Sequence, residues 1–144
     1  MQKQARRIDL LKRLSRMREV EKQQAALRVA EAEGVHGKLQ ALGTRSLEIA
    51  ARYGARGDAN DGDALARQMQ FLSGLDSIRE QTESERQRAE ETTQSAMDDL
   101  MAAERRRELT TDRLGEERRA AQRLAQSREA STNPVLARNL KGKG

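Results

Sequence analysis

The distribution of helix-breaking residues constrains this chain more than any other feature. Its only proline is Pro134, and between residue 3 and about residue 130 a single segment combines glycine with turn-forming polar residues. Gly54 suits the left-handed residue that ends a helix, and Asn60 or Asp61 suits the cap of a following helix. The sequence therefore predicts two long helices joined by one short loop. The segment is Tyr53-Gly54-Ala55-Arg56-Gly57-Asp58-Ala59-Asn60-Asp61-Gly62-Asp63.

Few side chains are large enough to fill a wide core. Aromatic residues make up 1% of the chain, whereas charged residues and hydrophobic residues make up 35% each. This composition argues against two thick packed layers and favours long helices with narrow apolar seams. The chain has no cysteine, which excludes disulfides and thiolate chemistry. It also has neither a membrane-spanning apolar run nor an apolar stretch behind its basic N-terminal residues, so we expect a soluble, intracellular protein.

Apolar residues recur at alternating steps of four and three, the spacing of a coiled-coil seam. In the second helix this alternation is unbroken from Leu75 to Leu124, although several of its positions are charged. In the first helix, one seam is predicted near the loop and a second apolar edge near the N-terminus. The seam near the loop comprises Val35, Leu39, Leu42, Ser46, Ile49 and Tyr53, and the N-terminal edge comprises Leu10, Leu14, Met17 and Val20.

A short loop makes two long helices antiparallel neighbours. Folding about the loop pairs residues whose numbers add up to about 117, so that Leu42 is predicted to face Leu75 and Leu14 to face Ala103. The predicted fold is all-α, an elongated antiparallel two-helix coiled-coil hairpin. We expect helix 1 over about 3–54, a loop over 55–62, helix 2 over about 63–131, and a basic disordered tail over 132–144.

Glycines interrupt both predicted helices. Each costs about 1 kcal/mol relative to alanine in a helix interior. Close approach of the two helices, or simple tolerance, is favoured over a bendable segment as the explanation. The glycines are Gly34, Gly37, Gly43, Gly74 and Gly115.

Charge is sorted along the predicted hairpin. Residues 1–22, 104–129 and the tail together carry a net charge of +10, whereas residues 23–103 carry −5. The basic end admits three explanations: a solvated coiled-coil surface, docking onto an acidic protein surface, or non-specific binding of nucleic acid. Acidic residues are mixed into the stretch around Arg105-Arg106-Arg107, and no aromatic side chain is near it to stack on a base. Nucleic acid is therefore the least favoured of the three.

The densest apolar region follows the loop and is wider than one partner helix can cover. It contains two neighbouring stripes about 100° apart round the second helix. The first stripe is Leu65, Met69 and Leu72, and the second is Phe71, Leu75 and Ile78. A stripe left exposed would be a protein-binding site, and the alternative is that Phe71 folds over the edge of the seam.

The sequence contains no catalytic or metal-binding constellation. His36 is the only histidine, which excludes multi-histidine metal sites, and we expect its side chain to be exposed. The glycines form neither a phosphate-binding loop followed by Lys-Ser/Thr nor a dinucleotide fingerprint. We therefore expect a protein that is not an enzyme and that binds no cofactor, metal or other small-molecule ligand.

The order of helix, loop and helix, together with the residues after the loop, resembles the FliJ family, soluble components of the bacterial flagellar type III export apparatus. Tyr53 precedes a Gly/Asp/Asn loop, and FliJ proteins have a similar Gln-Phe-hydrophobic-x-x-Leu-x-x-hydrophobic run just after the turn. In this chain the run is Ala66-Arg67-Gln68-Met69-Gln70-Phe71-Leu72-Ser73-Gly74-Leu75-Asp76-Ser77-Ile78.

The resemblance implies a non-enzymatic protein that binds the flagellar export ATPase, promotes assembly of its hexamer, and links it to the export-gate membrane protein and to export chaperones. It also implies a cytoplasmic location, with peripheral association with the inner membrane at the export apparatus, and no nucleic acid partner. The implied export-gate contact comprises Leu42, Phe71, Leu75 and Ile78. The implied ATPase contact comprises Arg6, Arg7, Lys12, Arg13, Arg105, Arg106 and Arg107.

Two other functions are compatible with the sequence. One is a basic coiled coil that binds nucleic acid non-specifically, which filter binding to random DNA would test. The other is a structural coiled-coil spacer that oligomerises through its weak seam, which light scattering would test.

Overall fold

The protein consists of two long helices. The computed structural model describes the backbone of residues 2–55 and 61–141 and the side chains of residues 2–54 and 61–132. α1 spans Gln2–Ala55 and α2 spans Gly62–Lys141. These described residues contain no β-strand and no helical stretch that is long and apolar enough to cross a membrane. The predicted all-α fold is confirmed.

The two helices pack against each other as a helical hairpin, which divides into two compact units. Unit 1 comprises Met1–Gln23 and Met101–Gly144, and unit 2 comprises Gln24–Leu100. In both units the helices are antiparallel, because residues further along α1 contact residues earlier in α2. The predicted two-helix hairpin is thereby confirmed.

In unit 1 the antiparallel contacts are ionic and apolar. Arg106 lies 3.7 Å from Glu21, and Ile8 lines a groove together with Ala121. Glu21 comes after Ile8 in α1, whereas its partner Arg106 comes before Ala121 in α2, as expected for antiparallel helices. In unit 1, α1 and α2 therefore contact each other through both charged and apolar side chains.

In unit 2 the contacts include an aromatic pair. The rings of Tyr53 and Phe71 have centroids 4.3 Å apart and are tilted by 31°. Gln68 donates a hydrogen bond from Nε2 to the backbone oxygen of Tyr53 at 2.8 Å. Carbonyls in the last turn of a helix have no partner within that helix, so Gln68 satisfies one of them from α2.

The register of the hairpin differs from the predicted one. Tyr53 contacts Phe71 and Gln68, and Glu21 contacts Arg106, so paired residue numbers add up to between 121 and 127 rather than to 117. The predicted register is therefore wrong by about one heptad. A slip of seven residues returns every seam position to an equivalent one, so the periodicity fixes the phase of the seam but not which heptads pair.

The start of α2 follows the prediction. Asp61 caps the helix, because its Oδ1 accepts a hydrogen bond from the Ala64 amide at 2.6 Å and its backbone oxygen accepts one from Leu65 at 3.1 Å. The left-handed helix end predicted at Gly54 is wrong. Gly54 lies within the last turn of α1, and no described glycine has a positive φ. The predicted loop residues 56–60 lie outside the described residues.

The end of α2 does not follow the prediction. The helix continues to Lys141, past Ser131, where it was predicted to end. The backbone of residues 132–141, which the sequence assigned to the tail, is helical, and residues 142–144 lie outside the described residues. A proline within a helix lacks the backbone N–H donor and costs about 3 kcal/mol, which is why the sequence predicted that α2 ends before Pro134.

The predicted seam of α2 is confirmed over most of its length. From Leu75 to Ala121, positions at alternating steps of four and three are buried or half-buried, except for the exposed Arg107. Leu124, the predicted last position, is exposed. The seam includes three charged residues that the sequence placed in it, and they are half-buried: Arg79, Arg86 and Glu117.

The seam of α1 is less apolar than predicted. Leu39 and Ser46 lie in it as predicted, and Leu14 and Ile49 are half-buried at its edge, but Val35, Leu42 and Met17 are 53%, 47% and 60% exposed. The two facing seams contain many small or polar side chains, and no large described side chain is fully buried. The α1 seam comprises Ile8, Leu11, Ser15, Arg18, Lys22, Ala25, Val29, Ala32, His36, Leu39, Gly43, Ser46 and Ala50.

Candidate functional site on unit 2 and basic residues of unit 1

Five large apolar residues of unit 2 lie on one side of the hairpin. Val35 of α1 and Thr92 of α2 line the same groove between the helices. Residues separated by multiples of seven occupy the same stripe of a coiled-coil helix. The residues at such spacings from Val35 are Leu42 and Ile49, and those at such spacings from Thr92 are Phe71 and Ile78. We call Val35, Leu42, Ile49, Phe71 and Ile78 the apolar side of unit 2.

The apolar side of unit 2 is largely open to solvent. Leu42 is 47% exposed, Phe71 is 41% exposed and Ile78 is 48% exposed. The Phe71 ring contacts Tyr53 and still leaves much of its surface uncovered. Phe71 therefore folds against the edge of the seam, as one alternative predicted, and also keeps an exposed surface, which the other alternative requires.

Leu75 does not belong to this exposed surface. The resemblance placed it in the export-gate contact with Leu42, Phe71 and Ile78, but Leu75 is only 9% exposed and lies within the seam of α2. The structure therefore brings three of the four residues together on one open side. Leu75 packs beneath them, because its position on α2 faces α1.

Basic residues border the apolar side of unit 2. Lys38, Arg45 and Arg52 each follow one of its α1 members by three residues, which places them on the adjoining stripe of the helix. All three are exposed. Among the described residues, no carboxylate forms an ion pair with any of them. These three residues were not predicted as part of a site, although their seven-residue spacing is present in the sequence.

The opposite side of unit 2 carries acidic residues that are already paired. Arg86 donates hydrogen bonds to Glu83 at 2.7 Å and to Glu90 at 3.3 Å, and Arg79 lies 3.4 Å from Asp76. The hydrogen bond from Arg86 holds the pKa of the Glu83 carboxyl below its ordinary value, and Glu83 in turn raises the pKa of Arg86. Three carboxylates of this side are therefore paired within the unit, whereas Lys38, Arg45 and Arg52 have no ion-pair partner among the described residues.

The residues of the implied ATPase contact all belong to unit 1. Six of them are exposed, and Lys12 is half-buried. Two of them are engaged within the unit, because Arg106 lies 3.7 Å from Glu21 and Arg107 forms an ion pair with Glu19. The six exposed residues are Arg6, Arg7, Arg13, Arg105, Arg106 and Arg107.

These seven residues do not form one compact patch. Ile8 meets α2 at the level of Ala121, whereas Arg106 meets α1 at the level of Glu21. Arg6 and Arg7, which adjoin Ile8, are therefore about 15 residues from Arg106 along α2, or roughly 20 Å at 1.5 Å per residue, and Lys12 and Arg13 lie between. A partner that contacts all seven residues needs a binding surface at least that long.

The described residues hold no obvious chemical centre. Within that part of the chain, no three His, Cys, Asp or Glu side chains are grouped so that they could hold a metal ion. His36, which the sequence predicted to be exposed, is half-buried in the seam of α1, and its Nε2 has no hydrogen-bond partner. That prediction is wrong because the α1 seam that contacts α2 contains His36, Gly43 and Ala50, each one residue after a position of the predicted seam.

Comparison with protein-family models, curated proteins and solved structures gave no match. The apolar side of unit 2 and the basic residues of unit 1 are therefore the observations from which a function is proposed.

Proposed function

We propose that this protein is a non-enzymatic component of the flagellar type III protein export apparatus. In this proposal it binds the export ATPase, promotes assembly of the ATPase hexamer, and links the ATPase to the export gate and to export chaperones. The observation that carries the proposal is the exposure of Leu42, Phe71 and Ile78 on one side of a helical hairpin. Two of these residues belong to the run after the loop on which the resemblance to the FliJ family rests.

The distribution of the two candidate contacts supports a bridging role. The apolar side lies in unit 2, and the basic residues of the implied ATPase contact lie in unit 1. Two contacts on separate units allow two partners to be bound by one chain. Peripheral association with the inner membrane is part of the proposal and follows from binding to a membrane-embedded gate.

Titration of the cognate flagellar export ATPase with the full chain tests the proposal. We expect a saturable rise in ATP hydrolysis together with a rise in hexamer content measured by sedimentation. An ATPase that is active but indifferent to the chain, in both rate and assembly, would contradict the proposed role.

Replacing Phe71 with alanine should separate the two partners. We expect a loss of roughly tenfold or more in affinity for the cytosolic part of the gate, because an exposed aromatic anchor would be removed. Affinity for the ATPase should change less than about twofold, because Phe71 lies outside unit 1. The matched control is Leu47→Ala, since Leu47 is 51% exposed and lies in the groove on the opposite side. Equal loss of both partners in a pull-down would argue against two separate contacts.

Reversing the charge of Arg6 and Arg13 should weaken binding to the ATPase. We expect roughly a tenfold loss at low salt that shrinks as ionic strength rises, because exposed charges act through screened electrostatics. The control is Arg45→Glu with Arg52→Glu, which changes the same charge at the same seven-residue spacing but within unit 2. Anisotropy titrations in about 0.05 M and 0.5 M salt measure the difference. If the two double variants weaken ATPase binding equally, local docking through unit 1 is wrong.

A further inference from the structure

The most apolar seam of α1 in unit 2 is not the seam that contacts α2. Residues at alternating steps of four and three from Val35 to Tyr53 are all large and apolar except Ser46. The contacting seam shares Leu39 and Ser46 with this set but otherwise contains small or polar residues, including His36 and Gly43. In a seven-residue repeat, the two seams differ by one stripe, a rotation of roughly 50°.

The same displacement is present on α2. Its most apolar seam after the loop comprises Phe71, Leu75, Ile78 and Thr82, whereas its contacting seam includes Arg79 in place of Ile78. Leu75 and Thr82 belong to both seams and are buried. Phe71 and Ile78 belong only to the apolar seam and are exposed.

Both displaced seams turn toward the same groove. Val35 on α1 and Thr92 on α2 line this groove, and seven-residue spacing extends its walls to Leu42 and Ile49 on α1 and to Glu85, Ile78 and Phe71 on α2. In such a coiled coil, part of each helix's apolar seam contacts the other helix and part faces the open groove. A third helix bound in the groove would cover the exposed part and complete the core. A helix that followed α1 from Val35 to Tyr53 would be about 27 Å long, or about five turns.

The charge at the margin of the groove indicates what kind of helix fits. Where Val35 and Thr92 line the groove, its charges are mixed, with Arg28 and Arg88 beside Glu31, Glu91 and Asp99. Toward the loop, Lys38, Arg45 and Arg52 follow the groove at seven-residue spacing and have no described carboxylate as ion-pair partner. A helix with acidic residues flanking its apolar stripe would pair with them along its whole length. A second copy of this chain docked by the same side in a two-fold dimer would place the same basic row beside its equivalent, and like charges would repel.

We propose that the groove on the apolar side of unit 2 binds an acidic amphipathic helix of a partner protein, about 18 residues long, as the third helix of a coiled coil. The apolar residues of this helix pack between the α1 and α2 stripes, and its acidic residues face Lys38, Arg45 and Arg52. The inference rests on the proposed function only for the identity of the partner as an export component.

Direct binding of synthetic peptides to the full chain tests the proposal. The probe is a fluorescein-labelled 21-residue peptide with leucine and isoleucine at the two apolar heptad positions and glutamate at the flanking positions. One comparison peptide has lysine in place of every glutamate, and a second has the same composition with the seven-residue repeat broken. We expect anisotropy to show at least tenfold tighter binding of the acidic peptide than of either comparison peptide.

Variants of the chain locate the site. Ile78→Gln should weaken binding of the acidic peptide at least tenfold, whereas Leu47→Gln on the opposite side should leave binding unchanged. Arg45→Glu with Arg52→Glu should shift the preference toward the lysine peptide. Circular dichroism confirms that each variant remains helical before its affinity is compared.

Several results would overturn the proposal. Equal affinity for the acidic and lysine peptides, equal effects of Ile78→Gln and Leu47→Gln, or no binding of the acidic peptide would each do so. Sedimentation that shows a dimer abolished by Leu42→Gln would assign the groove to a second copy instead. The peptide assay contains no export component, so its failure leaves the ATPase titration unaffected. Failure of that titration likewise leaves the peptide result standing.

Discussion

Replacing Gly34, Gly37 and Gly43 together with alanine should raise the free energy of unfolding by about 3 kcal/mol, because each glycine in a helix interior costs about 1 kcal/mol relative to alanine. A Cβ atom built at each of these positions meets nothing within 4 Å. The added methyl groups therefore bring the benefit of lower backbone entropy in the unfolded chain without steric strain. Thermal unfolding followed by circular dichroism should show a midpoint higher by roughly 10 °C.

The control for this experiment is Gly62→Ala. Gly62 is the first residue of α2 and its Cβ would also meet open space, but a helix end gains less from alanine than a helix interior does. We expect its effect to be clearly smaller than that of any one of the three interior changes. A triple variant that is no more stable than the native chain would contradict the assumption of a straight, regular helix through this region.

The structure also decides between the explanations for these glycines. Close approach of the two helices would require neighbouring atoms near the missing side chains, and there are none at Gly34, Gly37, Gly43 or Gly74. Close approach is therefore wrong at these four positions. If the stabilised triple variant also loses partner binding, the glycines serve a bendable segment, and if binding is retained they are tolerated.

Leu75→Ala should be the most destabilising single change in unit 2, with a loss of about 2–4 kcal/mol from lost burial and the cavity left behind. Leu75 is the most thoroughly buried large side chain of that unit, at 9% exposure. Denaturant unfolding monitored by circular dichroism measures the loss. The matched control is Ile78→Ala, one turn away and 48% exposed, which should cost less than about 1 kcal/mol.

This pair of variants separates stability from binding. Leu75 and Ile78 both belong to the apolar seam of α2, but only Leu75 also faces α1. We therefore expect stability to fall for Leu75→Ala and partner affinity to fall for Ile78→Ala. Similar losses of stability from both variants would mean that the helices pack in a different rotation from the one described.

The helices and the seam of α2 could be predicted from the sequence for a definite reason. A single break between long polar–apolar repeats leaves few alternatives to a two-helix hairpin, and Asp61 carries a side chain that caps a helix in most contexts. The seam of α2 is unambiguous because its alternation from Leu75 to Ala121 has no competing apolar stripe of similar length. Residues close together in the sequence therefore determine both the two helices and the seam of α2.

The seam of α1 and the register could not be predicted in the same way. The sequence favoured Val35, Leu42 and Ile49 as buried residues because they recur at alternating steps of four and three with Leu39 and Ser46. In the structure they form part of an open groove, while His36 and Gly43 face α2. Periodicity locates apolar stripes but does not say which neighbour covers them, so a stripe suited to a partner outside the chain is mistaken for the internal seam. The position of the loop also did not give the correct register, because a shift of one heptad places equivalent residues opposite each other.

The internal pairing of Arg79 and Arg86 with their acidic neighbours has a further consequence for unit 2. The ion pairs neutralise Asp76, Glu83 and Glu90 on one side, while Lys38, Arg45 and Arg52 on the other have no described carboxylate as partner, so near the loop the side that carries the groove is the more positive one. A negatively charged partner is attracted to that side before any atoms touch. The groove would then already face the partner helix when the two proteins meet. The two proteins would therefore need less reorientation after first contact.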